Sequence, residues 1–501
     1  MERDIQGFSQ RPYDVLVIGG GINGAAVAHM AALNGLKVAL LEKGDFASGT
    51  SGRSTKLIHG GLRYLENLEF GLVRESLRER SVQLKSAPHL VHPLKFIIPV
   101  YDSDKRPFWM MKLGVKLYDL LSGKHLVEKH RVLNADEICR MVSGIRREGL
   151  LGGVMYSDAQ MNDARLCLEN VLSAVEKGAH AANYVKVVSF IKENGRTVGV
   201  NARDELGQES FEVRAKKIVC AVGPWTNILM RKEHRRSRSR VRPTKGVHII
   251  YKGNISEHAV LIPTRSDGRI FFIIPWVGNS LIGTTDTDFL GDPDRVEVAQ
   301  EDIDYLVAEA KRVLPDANLT RDNVITSFAG LRPLVSEPGA PARVSRKHVI
   351  RESYSGLTYV MGGKYTTYRK IAEDVLRRLT KKPLVDTQEK FPVYGSGNIE
   401  GNVDVLNQKY GVSPDVVRSL IGFYGSRYTD VLTLVEENPY LRTPICSCSL
   451  VIRAQIVYAV RTEMARTEDD IVIRRLVLGY DQCSTGECRK TIREILSKEG
   501  L

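Results

Sequence analysis

Gly19-Gly20-Gly21-Ile22-Asn23-Gly24, with Glu42 further along, is the first group in the chain whose residue types and spacing suit chemistry. Glycines at 19, 21 and 24 let the backbone turn sharply, let a pyrophosphate approach it, and let a helix lie close against a sheet. Glu42 stands where a carboxylate accepts hydrogen bonds from a ribose 2′-hydroxyl. A second group is Cys446-x-Cys448 and, further on, Cys483-x4-Cys488. Close thiol pairs that converge can hold a metal or an iron-sulfur cluster, and a disulfide or an empty remnant site is the competing reading.

The elements that must position the glycines are legible around them. Tyr13 to Ile18 is short, apolar and rich in β-branched residues, which predicts a buried strand. The turn follows at once, then a helix over Ala25 to Leu33 ending near Asn34-Gly35, then a strand over Lys37 to Leu41 that stops at Glu42. A glycine triplet by itself is weak evidence of a ligand. Strand, turn, helix, strand and acid together predict a dinucleotide at a helix N-terminus. These residues do not decide between NAD and FAD.

The 501 residues predict two or three domains. At 43% apolar and 26% charged residues the composition is that of an ordinary globular chain. A net charge of +13 attracts anions: nucleic acid, anionic lipid or a phosphorylated small molecule. Met1-Glu2-Arg3-Asp4 carries acids where an export signal has basic and then apolar residues, so none is expected. Apolar runs such as Phe96 to Val100 and Phe271 to Pro275 are too short to cross a bilayer. With 7 cysteines in no small-scaffold pattern, a reduced cytoplasmic protein is expected, and Cys139, Cys167 and Cys220 are read as buried packing residues.

Ser51-Gly52-Arg53-Ser54-Thr55-Lys56-Leu57-Ile58-His59-Gly60-Gly61-Leu62-Arg63-Tyr64-Leu65 closely resembles the flavin-contacting segment of the FAD-dependent glycerol-3-phosphate dehydrogenases. Five further stretches are similar to that family in the same order: Ala221-Val222-Gly223-Pro224-Trp225, Lys245-Gly246-Val247-His248, Ile282-Gly283-Thr284-Thr285-Asp286, Gly330-Leu331-Arg332-Pro333-Leu334, and Gly362-Gly363-Lys364-Tyr365-Thr366-Thr367-Tyr368-Arg369. The resemblance implies a mixed α/β fold, with a glutathione-reductase-like FAD-binding Rossmann domain interleaved with an antiparallel-sheet substrate domain, plus a helical C-terminal domain. The expected division is an oxidoreductase region over 12–390, with FAD-binding parts about 12–90, 150–225 and 325–385 and substrate parts about 91–149 and 226–324. A helical cap follows over 391–501. Gly356 to Met361 is expected as a strand entering a glycine turn, before a helix from about Thr367 to Leu379. In the cap, Val412 to Tyr424, Tyr428 to Glu437 and Val451 to Arg466 are expected helices.

The activity implied is oxidation of sn-glycerol 3-phosphate to dihydroxyacetone phosphate by hydride transfer to FAD, with electrons passed to a quinone or other carrier. By similarity, Arg63, Tyr64, His248, Arg332, Lys364 and Tyr365 bind substrate. His248 takes the hydroxyl proton, since an imidazole needs little tuning to act as base near neutral pH. Arg63 and Arg332 anchor the phosphate through guanidinium forks. Lys364 either joins them or stabilises the reduced flavin. FAD contacts are expected from Gly19, Gly21, Ile22, Asn23, Gly24, Glu42, Lys43, Thr50, Ser51, Ser54, Lys56, Leu57, Ile58, His59, Gly60, Gly61, Val185, Ala221, Gly223, Trp225, Gly363, Lys364, Thr366 and Thr367.

The spacing of Cys446, Cys448, Cys483 and Cys488 is similar to the small [2Fe-2S] domain of the anaerobic enzyme's large subunit, which makes them candidate cluster ligands. Arg231 to Arg240, the most basic stretch, is expected in a connection. A solvated loop is the ordinary reading, and a peripheral contact with the cytoplasmic face of a membrane is the better of its two functional ones. No aromatic residues interleave with its charges, so nucleic acid is not expected. A homodimer and a membrane-anchoring partner are further expectations. The alternatives are an oxidase that uses molecular oxygen, an oxidoreductase of the same fold acting on another hydroxy or amino substrate, or a flavin-binding RNA-associated protein.

Overall fold

The computed structural model describes residues 1–264, 270–317, 319–336, 347–399, 401–481 and 486–501. Tyr13–Ile18 lies at the centre of the first sheet, parallel to Val38–Leu41 on one side and to Ser210–Cys220 on the other. Outward from these run His180–Ala182 at one edge and Leu357–Gly362 then His348–Glu352 at the other, the last antiparallel. Helices cover a face of this sheet. The Ile22–Leu33 helix carries five buried alanines, and so packs closely between the Asp163–Glu176 and Tyr368–Leu379 helices. It begins at Ile22 rather than Ala25, because Gly21 serves as its N-cap and the glycine turn runs into the first helical turn.

The second sheet has ten strands among the described residues. Its order is Thr287–Asp288, Val241–Tyr251, Asn279–Gly283, Ile270–Trp276, Ala259–Pro263, Val91–Tyr101, Leu150–Met161, Leu57–Ile58, with Val324–Val335 also on Val241–Tyr251 and Arg131–Leu133 also on Leu150–Met161. Its strands pair antiparallel except where Ala259–Pro263 meets Val91–Tyr101 in parallel. The boundaries expected from sequence shift accordingly. Leu150–Met161 and Val324–Val335 fall in stretches assigned to the FAD-binding parts, yet both pair along most of their length with substrate-sheet strands. Long strands need ladder partners for their N–H and C=O groups, and these lie in the second sheet. The two-residue strand Leu57–Ile58 joins it too, so the motif segment bridges both sheets.

The C-terminal region is helical: Val403–Tyr410, Pro414–Tyr424, Tyr428–Glu437, Arg453–Arg461 and Gly486–Lys498. Pro414 at the first turn, after a Ser413 cap, sets the start two residues later than expected, at a position where proline's missing N–H costs nothing. The helix expected to reach Arg466 stops at Arg461, and Met464 takes a left-handed φ of +55°. Its end turns toward the nucleotide fold because buried charges tie it there. Asp45 accepts from Arg475 at 2.7 and 2.9 Å and from Arg474 at 2.6 Å, and Glu463 pairs with Arg165 at 2.6 Å. Against the upward push of burial, Arg475 and Arg474 hold the Asp45 carboxyl at about 2. No described helix is long and apolar enough to cross a membrane.

Candidate functional site

A cavity of about 980 Å³ opens between the two sheets, at the upper end of the range for ligand sites. Its nucleotide end is mostly backbone. Gly19 takes φ +108° directly after the first strand. A Cβ on Gly24 would stand 1.9 Å from the Gly19 carbonyl, so only glycine lets the helix sit this near its own turn. The Ile22 N–H donates to Ser51 Oγ at 2.8 Å, and the Asn23 amide oxygen is buried without a hydrogen-bond partner among the described residues. Glu42 accepts from the N–H groups of Gly20 at 2.6 Å and Gly44 at 2.8 Å, and burial raises its pKa. Its carboxylate therefore braces the glycine turn as well as facing the cavity. At the mouth Lys43 Nζ lies 4.2 Å over the Trp225 ring, whose Nε1 donates to Asp294 at 2.9 Å.

The other end is made of side chains from the second sheet. His248 projects from Val241–Tyr251, whose register partners across the ladder are Phe328 and Gly283. Its ring stacks on Phe328 at 5.0 Å, its Nε2 meets Thr55 Oγ1 at 3.0 Å, and its Nδ1 is buried without a hydrogen-bond partner among the described residues. Burial first, then the cations of Arg332 and Lys56, hold its pKa well below the usual 6.5, so the imidazole is neutral. Arg332 Nη2 donates to Thr284 Oγ1 at 2.8 Å, while Nη1 pairs with Asp286 at 3.1 Å. Gly246 leaves the room for that guanidinium, since a Cβ there would stand 2.4 Å from Arg332 Nη2. Lys364 Nζ lies 4.5 Å over the Tyr64 ring and donates to Ser76 Oγ, and Tyr365 donates its hydroxyl to the Asp163 carbonyl.

Arg63, Tyr64, His248, Arg332, Lys364 and Tyr365 all line this one cavity. So do Gly19, Gly21, Ile22, Asn23, Glu42, Lys43, Thr50, Ser51, Ser54, Leu57, His59, Gly61, Val185, Ala221, Gly223, Trp225, Gly363 and Thr366. Five expected FAD contacts do not: Gly24, Lys56, Ile58, Gly60 and Thr367. Gly24 packs the helix onto its turn. Lys56 is 1% exposed and pairs with Asp163 at 2.6 Å. Ile58 is core, the Gly60 N–H donates to Asp158, and the Thr367 hydroxyl is turned to the Lys364 carbonyl. Sequence reasoning missed Thr55 and Asp163. Thr55 lies inside the Ser51 to Leu65 motif, where its neighbourhood to His248, far along the chain, has no local signal. Asp163 had none either, yet it takes Lys56 together with the N–H and hydroxyl of Ser54 and so fixes the segment that carries Thr55.

The residues present fit FAD. The orphaned Asn23 oxygen, the glycine cradle and the helix N-terminus at Ile22 supply polar groups at one end of a cavity long enough to continue past His248. Away from this cavity, the Sγ atoms of Cys446, Cys448 and Cys488 lie within 4.8 Å of one another. Cys483 lies outside the described residues. Cys167 and Cys220 are buried as expected, whereas Cys139, on the short Ala135–Met141 helix, is only partly buried.

Comparison with known proteins agrees with this geometry. Residues 14–369 match the FAD dependent oxidoreductase family, and residues 386–499 match the C-terminal domain of alpha-glycerophosphate oxidase. The chain is 39% identical to a glycerol-3-phosphate dehydrogenase of Synechocystis sp. over 95% of this chain and 91% of that one. It is 35% identical to an aerobic glycerol-3-phosphate dehydrogenase of Staphylococcus aureus, covering 92% and 86%. Its structure is similar to that of the Bacillus halodurans glycerol-3-phosphate dehydrogenase complexed with FAD, with a TM-score of 0.81 and 33% identity, covering 99% of this chain and 92% of that one.

Proposed function

Because the chain belongs to the family of FAD-dependent glycerol-3-phosphate dehydrogenases, we propose that it oxidises sn-glycerol 3-phosphate to dihydroxyacetone phosphate and passes the electrons to a quinone or another carrier. The observation that carries this is the pairing, in one cavity, of a buried neutral imidazole at His248 with the braced Arg332 fork, beside a nucleotide-binding turn.

FAD supplies the acceptor for the hydride that leaves the carbinol carbon. The chain's own residues do the rest. His248, uncharged, accepts the hydroxyl proton as that hydride departs. Arg332 and Arg63 bring the positive charge that anchors the phosphate, and anchoring that remote group fixes where the carbinol carbon lies. Thr284 and Asp286 hold the Arg332 fork in place before substrate arrives, so little ordering is left for binding. Lys364, stacked on Tyr64, brings a positive charge to the same end.

The test is an anaerobic absorbance spectrum of the purified protein before and after addition of glycerol 3-phosphate. Loss of the oxidised-flavin band is expected. A flavin that stays oxidised with this substrate and is reduced by another hydroxy or amino compound would replace the assignment. Peroxide formation in air would mark the acceptor as oxygen and the chain as an oxidase.

Two finer elements belong to the same reading. Cys446, Cys448 and Cys488, with Cys483 as the fourth ligand, hold a thiolate-bound centre of the [2Fe-2S] kind, which the convergence of three sulfurs supports. Iron and sulfide content of anaerobically purified protein checks it, and protein free of both would remove it. The enzyme works as a homodimer in peripheral contact with the cytoplasmic face of a membrane, where a lipid-soluble acceptor is at hand.

A further inference from the structure

Residues 474–480 of the C-terminal region reach into three cores. Arg474 and Arg475 pair with Asp45 in the nucleotide fold. Leu476 and Leu478 are buried among the C-terminal helices, whereas Val477 and Tyr480 are buried in an apolar cluster of the second sheet. Asn279, at the start of the Asn279–Gly283 strand, donates to the Tyr480 carbonyl at 3.3 Å. Val477 takes a φ of +50°, which a β-branched residue rarely adopts and which persists only where the surroundings dictate it. The turn thus drives one aromatic ring of the C-terminal region into the core of the other sheet.

What that ring meets is the support of the reacting end. The Tyr480 ring stands 5.6 Å from that of Phe328 at an interplanar angle of 69°, and Phe328 stacks in turn on His248 at 5.0 Å and 15°. Lys56 Nζ lies 4.8 Å from the Tyr480 ring, with the Trp276 and Phe328 rings at 5.1 and 5.6 Å and the Asp163 carboxylate at 2.6 Å. Lys56 directly follows Thr55, whose hydroxyl meets His248 Nε2 at 3.0 Å. Both contacts that orient the imidazole therefore lead back to Tyr480, one through Phe328 and the other through Lys56. An ordinary core has no need of this arrangement. A buried ion pair carries a desolvation cost, and well-packed apolar residues in its place hold a fold as well or better.

We infer that Tyr480 is a positioning residue for the reaction, a ring from the C-terminal region that holds the His248 imidazole in place through Phe328 and Lys56. The inference rests on the role proposed above for His248. Tyr480, Phe328 and Lys56 do not line the cavity, so what Tyr480 does for the reaction it does through its neighbours. A ring pinned by one stack and one hydrogen bond has a single orientation, and each support needs a wall behind it. Removing the wall leaves the imidazole present but loosely aimed, which lowers the rate of proton and hydride transfer more than it lowers binding of a substrate anchored by its remote phosphate.

The test is stopped-flow reduction of the FAD-loaded full chain by glycerol 3-phosphate, with the limiting rate and the half-saturating concentration read separately. Tyr480→Leu and Tyr480→Met, which delete the ring, should lower the limiting rate by about 2- to 10-fold and leave flavin content and half-saturation unchanged. Tyr480→Phe, which keeps the ring, should restore the wild-type rate. In a Phe328→Leu background Tyr480→Leu should cost less than it does alone, because both substitutions act on His248 along one path. Wild-type rates in both ringless variants overturn the inference. So does a loss seen in flavin content or half-saturation instead of the limiting rate, a Tyr480→Phe protein as slow as Tyr480→Leu, or effects of residues 480 and 328 that simply multiply. A wild-type flavin that glycerol 3-phosphate leaves oxidised overturns the assigned reaction and this role with it, whereas a wild type that is reduced and variants that match it overturn the role of Tyr480 alone.

Discussion

The two ends of the cavity are built on different principles. At the nucleotide end the wall is a glycine turn running into a helix N-terminus, with Asn23 and Glu42 as its polar side chains, and close packing excludes any side chain at Gly24. At the reacting end the groups are side chains, most of them held by other side chains: His248 by Thr55 and Phe328, Arg332 by Thr284 and Asp286, Lys364 by Ser76 and Tyr64. A backbone site is specified by local sequence and tolerates no added volume. A side-chain site is specified by contacts between distant strands and responds to lost functional groups. Substitutions at the two ends should accordingly fail in different ways.

The largest effect is expected at the reacting end. His248→Ala removes the proposed proton acceptor and should slow flavin reduction by ~10²–10⁴-fold, with the amount of bound FAD and the dissociation constant for glycerol 3-phosphate nearly unchanged. Stopped-flow reduction and equilibrium titration measure the two separately. A variant that loses substrate affinity and keeps its rate would make His248 a binding residue only. Gly24→Ala should show the opposite pattern. Its methyl group cannot fit beside the Gly19 carbonyl, and relieving the overlap costs about 1–3 kcal/mol, so the protein should purify with substoichiometric flavin while the reduction rate per bound flavin persists. Arg332→Ala comes next. Loss of a charged donor of about 1.5–3 kcal/mol should raise the substrate requirement by roughly 10–150-fold, and an unchanged KM would remove Arg332 as the phosphate anchor.

The same contrast explains what the sequence disclosed. The nucleotide end was readable from the residues alone, because a glycine turn between a β-branched strand and an alanine-rich helix is a local pattern with a local cause. The reacting end was not. His248 and Arg332 stand on neighbouring strands of the second sheet, one from Val241–Tyr251 and the other from Val324–Val335, and only resemblance brought them forward. The domain seams were misplaced for a related reason: nothing within Leu150–Met161 says which sheet will supply its partners. Lys56 was expected at the flavin because it lies in the segment that resembles the family's flavin-contacting stretch. A left-handed φ of +58° turns it inward, to Asp163 and an aromatic cage in which the Tyr480 ring lies at 4.8 Å. That ring comes from the C-terminal region, which no reading of residues 51–65 could have supplied.

The pH dependence follows from His248. Its folded pKa is depressed, so well above pH 7 it is neutral in both folded and unfolded chains and contributes nothing to the pH slope. Below the unfolded value of about 6.5 the unfolded chain binds a proton that the folded one refuses, and stability falls as pH falls. The rate of flavin reduction should therefore stay level through the ordinary histidine range and drop only at more acid pH. A midpoint near 6.5 would show that the imidazole is not buried during turnover.

The smallest effect probes how the side-chain end is held. Thr55→Val keeps the shape of residue 55 and deletes the hydroxyl 3.0 Å from His248 Nε2. One neutral hydrogen bond is worth about 0.5–1.5 kcal/mol, so flavin reduction should slow by only ~2- to 10-fold, far less than in His248→Ala. The two outcomes are nevertheless linked. With Nε2 held against Thr55 Oγ1, the hydroxyl fixes which ring nitrogen carries the proton. Removing the hydroxyl frees the ring to exchange the roles of its nitrogens, so the loss should appear in the rate and not in substrate affinity, and Thr55→Ser should restore it. If Thr55→Val reduces flavin at the wild-type rate, the stack on Phe328 alone orients the imidazole, and the reacting end depends on packing more than on its polar contacts.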